Sequence, residues 1–395
     1  MQANQAGKKT THIPYGRHWI DEDDIQAVVD VLRGDWLTTG PKIGEFEQAF
    51  ATFTGAKEAV AISNGTAALH ASMNALGVGP GDEVIVPTMT FAASANCVVY
   101  QGGTPVFADV LQNTLLLDPA SVESKITPRT KAIVAVDYAG QPCDYEKLRA
   151  IATKHKLALV SDACHSVGGA HKNQKVGTLG DLSCFSLHPV KHITTGEGGF
   201  ITTNDSDLAV KMRRFRNHGI ATDHRQREQQ GTWYYEMLDV GYNYRLTDFQ
   251  CALGLKQLAK LPNWILRRQE IARQYDAAFN GNANIRPLTA LPGLSHAYHL
   301  YVVRVPATKR AQLFQDLRTR GIGVNVHYVP VHLHPFYQNK FGTKRGLCPV
   351  AETAYDQVLS IPMFPKMTDE NVETVITTLR ELANYHKISC SLPIL

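Results

Sequence analysis

From residue 58 onward the apolar residues gather into short runs separated by longer stretches of helical period. The runs lie at 59–63, 83–87, 104–108, 132–137, 158–162, 183–188 and 199–204, many bounded by Gly, Pro, Asn or Asp. They are near-continuous rather than alternating, the pattern of strands covered on both faces. Seven such strands interleaved with helices predict an α/β fold built on a mostly parallel sheet. Ahead of them, Ile25, Val28, Val29 and Leu32 follow a helical period behind the acidic run Asp21, Glu22, Asp23 and Asp24, which suits a helix N-terminus. Past Gly241 a long helical stretch covers 248–279 and should break near Pro262, since proline removes a backbone donor. Runs at 299–305 and 324–328 and helical stretches at 309–320 and 369–385 then predict a smaller α/β unit. The expected division is a large domain over 13–260, with an N-terminal arm, and a small C-terminal domain over 261–395. Residues 1–12 read as a polar leader.

A chain of 395 residues with 44% hydrophobic and 19% charged residues has ample material for two cores. Its formal charge of +4 comes from scattered, nearly balanced charges, so no nucleic-acid face is expected. No apolar stretch approaches the roughly 20 residues of a bilayer span. The first residues lack the apolar centre of a signal peptide. Seven cysteines without a CxxC pair read as reduced thiols in a cytoplasmic protein.

Three segments carry candidate chemistry. The sequence SNGTAAL at 63–69 is a strand end running into a helix start. Such a turn is either an ordinary Asn or Thr cap or a cradle in which backbone amides and the helix dipole receive a phosphate. It matches neither the Walker nor the dinucleotide fingerprint. Next, Asp162 ends an apolar strand and so falls on the carboxyl edge of the sheet, the ligand side of an open α/β sheet. A carboxylate there caps the next helix or keeps a heterocyclic nitrogen protonated, because an ion-paired partner raises the pKa of a base. Third, Lys191 follows the run at 183–188 in a segment of small hydroxyl residues and glycines, where an amine can be held beside a cofactor and become nucleophilic.

These three segments, in this order, resemble the DegT-type nucleotide-sugar aminotransferases, a family of fold-type-I enzymes dependent on pyridoxal 5'-phosphate (PLP). The similarity runs from residue 13 to about 385. It implies that Lys191 holds the cofactor as a Schiff base and moves the proton. Asp162 would hold the pyridinium nitrogen, making the ring an electron sink. Thr66, the amides of Gly65 and Ala67, and Ser186 would bind the phosphate, while Phe91 stacks on the ring and His165 lies near it. The segment 241–248 resembles a family motif whose asparagine, Asn243 here, reaches the phosphate in the neighbouring subunit, implying a homodimer with shared active sites. Family dehydratases carry His where this chain has Lys191, so transamination is implied. Tyr15, the segment with Trp36, Leu37 and Thr38, and the segment with His327 and Tyr328 resemble substrate-contacting parts of the pseudaminic-acid branch. That branch aminates C4 of a UDP-linked 2-acetamido-2,6-dideoxy-4-keto hexose with glutamate as donor.

Two positions depart from the family pattern: Ser161 replaces an acidic residue and Leu187 an aromatic one. His327, His332 and His334 raise the question of a metal site. Pro330 and Pro335 break the strand that would align them, and no neighbouring carboxylate or cysteine completes a set, so no metal is expected.

Overall fold

The computed structural model describes residues 12–222 and 224–384. All seven apolar runs form strands of one sheet: β1 (Glu58–Ile62), β2 (Glu83–Pro87), β3 (Thr104–Ala108), β4 (Thr130–Val136), β5 (Ala158–Asp162), β6 (Leu182–Ser186) and β7 (Gly199–Thr203). Their spatial order is β1-β7-β6-β5-β4-β2-β3. Strand β7 runs antiparallel to both of its neighbours, and the pairs from β6 across to β3 are parallel. The middle strands are buried on both faces, with Ile133, Val134, Ala135, Leu159 and Val160 inaccessible. This explains the missing alternation in the sequence.

Helices cover the sheet: α1 (Glu22–Leu32), α2 (Pro41–Thr54), α3 (Gly65–Ala75), α4 (Ala93–Tyr100), α5 (Tyr145–His155) and α6 (Ser206–Phe215). Asp21 caps α1 in a reciprocal box with Asp24, so part of the acidic run supplies the cap as well as charge for the helix dipole. Helix α7 (Asp248–Phe279) continues through Pro262, against the expected break. The proline removes one backbone donor, but Leu258, Leu261, Trp264 and Ile265 on either side are buried, and that packing holds the helix together.

The small sheet holds β8 (Arg286–Pro287), β9 (Tyr301–Arg304) and β10 (Val358–Ile361), all antiparallel, with α8 (Ala307–Thr319) and α9 (Asp369–Asn384) nearby. The run at 324–328 forms no strand; it contributes one bridge from Asn325 to Ser360. Two hydrophobic cores result, and α7 enters both: Leu258 and Trp264 pack in the first, Ile271, Tyr275 and Phe279 in the second. A division at residue 260 therefore falls inside one uninterrupted helix. Ile13 of the N-terminal arm packs in the second core, beside Ile322, because the arm pairs with Gly321 and Gly323. A Cβ at residue 323 would lie 2.8 Å from the Tyr15 amide nitrogen, so only glycine lets the arm approach so closely. Among the described residues no helix is long and apolar enough to cross a membrane. The six described cysteines are free, and Cys390 lies outside the described residues.

Candidate active site

The carboxyl ends of β1, β2, β4, β5 and β6 converge on one edge of the sheet, where a cavity of about 950 Å³ opens. It is lined by Lys191, Gly65, Thr66, Ala67, Phe91, Asp162, His165, Ser186, Tyr15, His327 and Tyr328, all of which the sequence singled out.

The floor is the start of α3. The first amides of a helix have no partner within it, and Asn64 caps this one by accepting from the Ala67 amide at 2.8 Å. That bond engages one of the two amides expected to meet a phosphate, and leaves those of Gly65 and Thr66, with the Thr66 hydroxyl, for an anion. Gly65 is required here: a Cβ would sit 2.9 Å from Ser186 Cβ and 3.0 Å from Cys164 Sγ. The turn is thereby pressed against the end of β6, bringing Ser186 beside the helix start.

Asp162, the last residue of β5, is almost fully buried. Its Oδ2 accepts from Ser94 Oγ at 2.6 Å and its Oδ1 from the Cys164 amide at 3.3 Å. Thr90 Oγ1 in turn lies 2.7 Å from Ser94 Oγ. Ser161, one residue earlier and on the opposite face, has its Oγ 2.5 Å from Tyr145 Oη. The Tyr145 phenol donates to Asp137 Oδ1 at 2.9 Å, so the residue just past a neighbouring strand places a carboxylate one phenol away from Ser161.

Lys191 stands in the turn after β6, its amide donating to His188 O at 2.9 Å. Burial holds its ammonium below the usual lysine range, opposed by Cys164 and Asp162. It is the only Lys or Arg among the described residues lining the cavity. Around it stand imidazoles that burial keeps neutral: His165 and His299 well below the ordinary range, and His327 at about 4. His165 Nε2 is 3.1 Å from Tyr328 Oη, and its buried Nδ1 has no partner among the described residues. His327 Nδ1 contacts Ser360 Oγ at 2.8 Å. Phe91 is 60% exposed at the mouth, an apolar ring face waiting for a flat partner. Free amides at a helix start, a buried carboxylate, a depressed amine and an open aromatic face suit a phosphorylated pyridine aldehyde.

The remaining candidates lie elsewhere. Trp36, Leu37 and Thr38 line no part of this cavity. Asp248 draws their segment to the start of α7 by accepting from the amides of Gly40 and Lys42 at 2.8 and 2.9 Å, while its own amide donates to Leu37 O. Thr38 bridges Thr247. Asn243 is exposed, bridged to Asn217, and also outside the cavity. Ser94, His299 and Asn325 belong to the site without any local sequence signal. They reach it through contacts distant in the chain, as Ser94 does with Asp162.

The buried imidazoles give a pH prediction. His70 and His327 are depressed to about 4 by burial, and His165, His192 and His299 shift the same way. A base whose folded pKa lies below its unfolded value near 6.5 stabilises the fold fully above about 6.5, and loses that contribution as pH falls toward the folded pKa. The carboxyls of Asp137, pushed up to about 7, and Asp276, also raised by burial, oppose this over part of the window. The histidines outnumber them, so the denaturation midpoint should fall between pH 7 and pH 5. His327→Gln should flatten the dependence; an unchanged slope in urea melts would contradict it.

A mostly parallel seven-stranded sheet with this lysine and carboxylate at its ligand edge defines the class: a fold-type-I, PLP-dependent aminotransferase. Residues 18–380 match the DegT/DnrJ/EryC1/StrS aminotransferase family, and the chain belongs to it. The Bacillus subtilis spore coat polysaccharide biosynthesis protein SpsC is 42% identical over 382 residues, spanning 95% of this chain and 98% of its own. Spr1654 from Streptococcus pneumoniae in its PMP form superposes with a TM-score of 0.90 at 34% identity, covering 94% of this chain and 99% of that one. Helicobacter pylori PseC, an aminotransferase involved in the biosynthesis of pseudoaminic acid, gives 0.88 at 34% identity over 94% and 99%.

Proposed function

We propose that this sugar aminotransferase passes an amino group from glutamate to C4 of a UDP-linked 2-acetamido-2,6-dideoxy-4-keto hexose, in the cytoplasm, as a homodimer. The observation that carries the chemistry is the placement of Lys191 and Asp162 in one cavity with the amides of α3. The sugar rests on the wall formed by Tyr15, His327 and Tyr328, together with the likeness to PseC. When bound, PLP supplies an electron sink and a carrier for the amino group. The amides of Gly65 and Thr66 and the hydroxyls of Thr66 and Ser186 would bind its phosphate. Asp162 would hold the proton on its ring nitrogen. Phe91 would offer an apolar face to the ring, and His165 would lie near it. Lys191 would anchor the cofactor and carry the proton at the reacting carbon. Its depressed basicity leaves more of the amine neutral for that task. The likeness to SpsC favours a second reading, a different nucleotide-linked keto sugar. Incubation with UDP- and dTDP-linked keto sugars, with product analysis by mass spectrometry and NMR, decides between them. Amination of a dTDP sugar alone, or at C3, would refute the first reading.

The dimer rests on Asn243 and on the surface beside it. Trp233, Met237 and Val240 are 86%, 65% and 76% exposed, an apolar strip that calls for a covering partner. A substrate role for Trp36, Leu37 and Thr38 would likewise need a second subunit, since they miss this chain's cavity. If Asn243 binds the partner subunit's cofactor phosphate, Asn243→Ala should weaken PLP binding by about 1.5–3 kcal/mol, the range for a hydrogen bond to a charged group. Mixing that variant with Lys191→Ala should restore activity at limiting PLP, because one site of each heterodimer has both native residues. Heterodimers as impaired as their parents would show that each subunit builds its site alone.

A further inference from the structure

His332 is fully buried and takes no part in the site described above. Its Nδ1 lies 2.5 Å from Thr88 Oγ1, and its Nε2 lies 2.9 Å from Glu352 Oε1. The sequence hydroxyl, imidazole, carboxylate is that of a nucleophilic triad. Thr88 is inaccessible, however, and Glu352 only 5% exposed, so no substrate can reach the hydroxyl. The arrangement has another use.

The hydrogen bonds fix its protonation. Thr88 Oγ1 accepts from the His332 amide at 3.4 Å, so its own proton goes to Nδ1. The proton on Nε2 then goes to Glu352, and both ring nitrogens are satisfied, unlike those of His165, His192 and His299. Glu352 is itself held by the amides of Gly346 and Cys348, at 2.8 and 3.2 Å. The imidazole therefore ties the end of β2 to a fixed carboxylate and to its own loop, whose Val331 amide also donates to Thr88 O at 2.9 Å.

Both tied segments lead straight into the cavity. Two and three residues beyond Thr88 come Thr90 and Phe91, and Ser94 next to them grips Asp162. Just ahead of His332 come His327 and Tyr328, and Tyr328 reaches His165. One imidazole thus links the two segments that carry Phe91 and Tyr328, whose rings lie 6.1 Å apart on the cavity lining.

We infer that His332 is a positioning residue whose bond to Thr88 sets the distance between the Phe91 wall and the Tyr328 wall. The inference rests on the reading of this cavity as the PLP site. Its test separates the neutral bond to Thr88 from the charge-assisted bond to Glu352. His332→Asn places an acceptor where Nδ1 stands, keeping Thr88 and losing Glu352. His332→Gln reaches toward Glu352 and loses Thr88. PLP affinity is measured by quenching of intrinsic fluorescence, with melting temperature recorded in parallel. The glutamine variant should raise the Kd for PLP about 2- to 10-fold, the worth of one neutral hydrogen bond, while the asparagine variant stays within about 2-fold. Both should melt lower, the asparagine variant at least as much as the glutamine variant because it loses the bond to the carboxylate. Thr88→Val cuts the same link from its other end and should reproduce the glutamine result, which keeps the test open if a His332 variant fails to fold. Equal increases in Kd for both His332 variants, tracking the loss of melting temperature, would overturn the inference, as would a Thr88→Val protein with native affinity. Failure of the unaltered protein to bind PLP would instead sink the cofactor reading beneath it.

Discussion

Lys191→Ala should reduce turnover by about 10³-fold or more, since it removes both the covalent anchor and the proton carrier, and general acid–base catalysis alone contributes about 10²–10⁴. No substitute stands ready. The imidazoles of His165, His299 and His327 are held neutral by burial, and burial raises the Tyr328 phenol well above its ordinary range. Lys191 is also the only primary amine among the described lining residues. The variant should fold normally, because the Lys191 side chain makes no hydrogen bond or ion pair with the described residues and its amide contact to His188 survives the change. In the native protein, borohydride reduction should attach the cofactor irreversibly to Lys191. Peptide mapping that finds the label on another lysine, or retention of turnover in the alanine variant, would remove Lys191 from this role.

Asp162→Asn should lower turnover by about 10²–10³-fold with little change in melting temperature, the size of effect seen when one preorganised electrostatic contact, such as an oxyanion-hole donor, is lost. The side chain keeps its shape, and its remaining oxygen can still accept from Ser94 Oγ, now 2.6 Å from Oδ2. What disappears is the negative charge that holds a proton on a pyridine nitrogen. The bound cofactor's absorption spectrum should change as well, which a helix-capping role would not predict. Ser94→Ala should have a smaller effect, about 10-fold or less, since it removes one neutral donor from the carboxylate. An Asp162→Asn enzyme with nearly native turnover would reduce Asp162 to a turn residue that accepts from the Cys164 amide.

Much of this architecture was legible in the chain. Buried strands of a parallel sheet require continuous apolar runs, and such runs locate their own ends. Asp162, Ser186 and Lys191 could be found because they stand at or just beyond those ends, where an open sheet gathers its ligand residues. The Asn64 to Ala67 turn was visible for the same reason, though not the use of the Ala67 amide by the Asn64 side chain.

Other features lay beyond any local pattern. Ser94 meets Asp162 across 68 residues, and Thr88 meets His332 across 244. Propensity and periodicity act over a few turns and cannot register such contacts. Pro262 misled for a related reason: its local cost is outweighed by burial of the helix on both sides of it. Trp36 and its neighbours were drawn from the cavity by the buried carboxylate of Asp248, more than 200 residues away. The sequence alone thus determined the sheet, its ligand edge and the chemical groups at its strand ends, because hydrophobic burial imposes a short period on the chain. Tertiary structure decided which distant side chains close around those groups, because hydrogen bonds and packing between remote segments depend on how the two cores meet across α7.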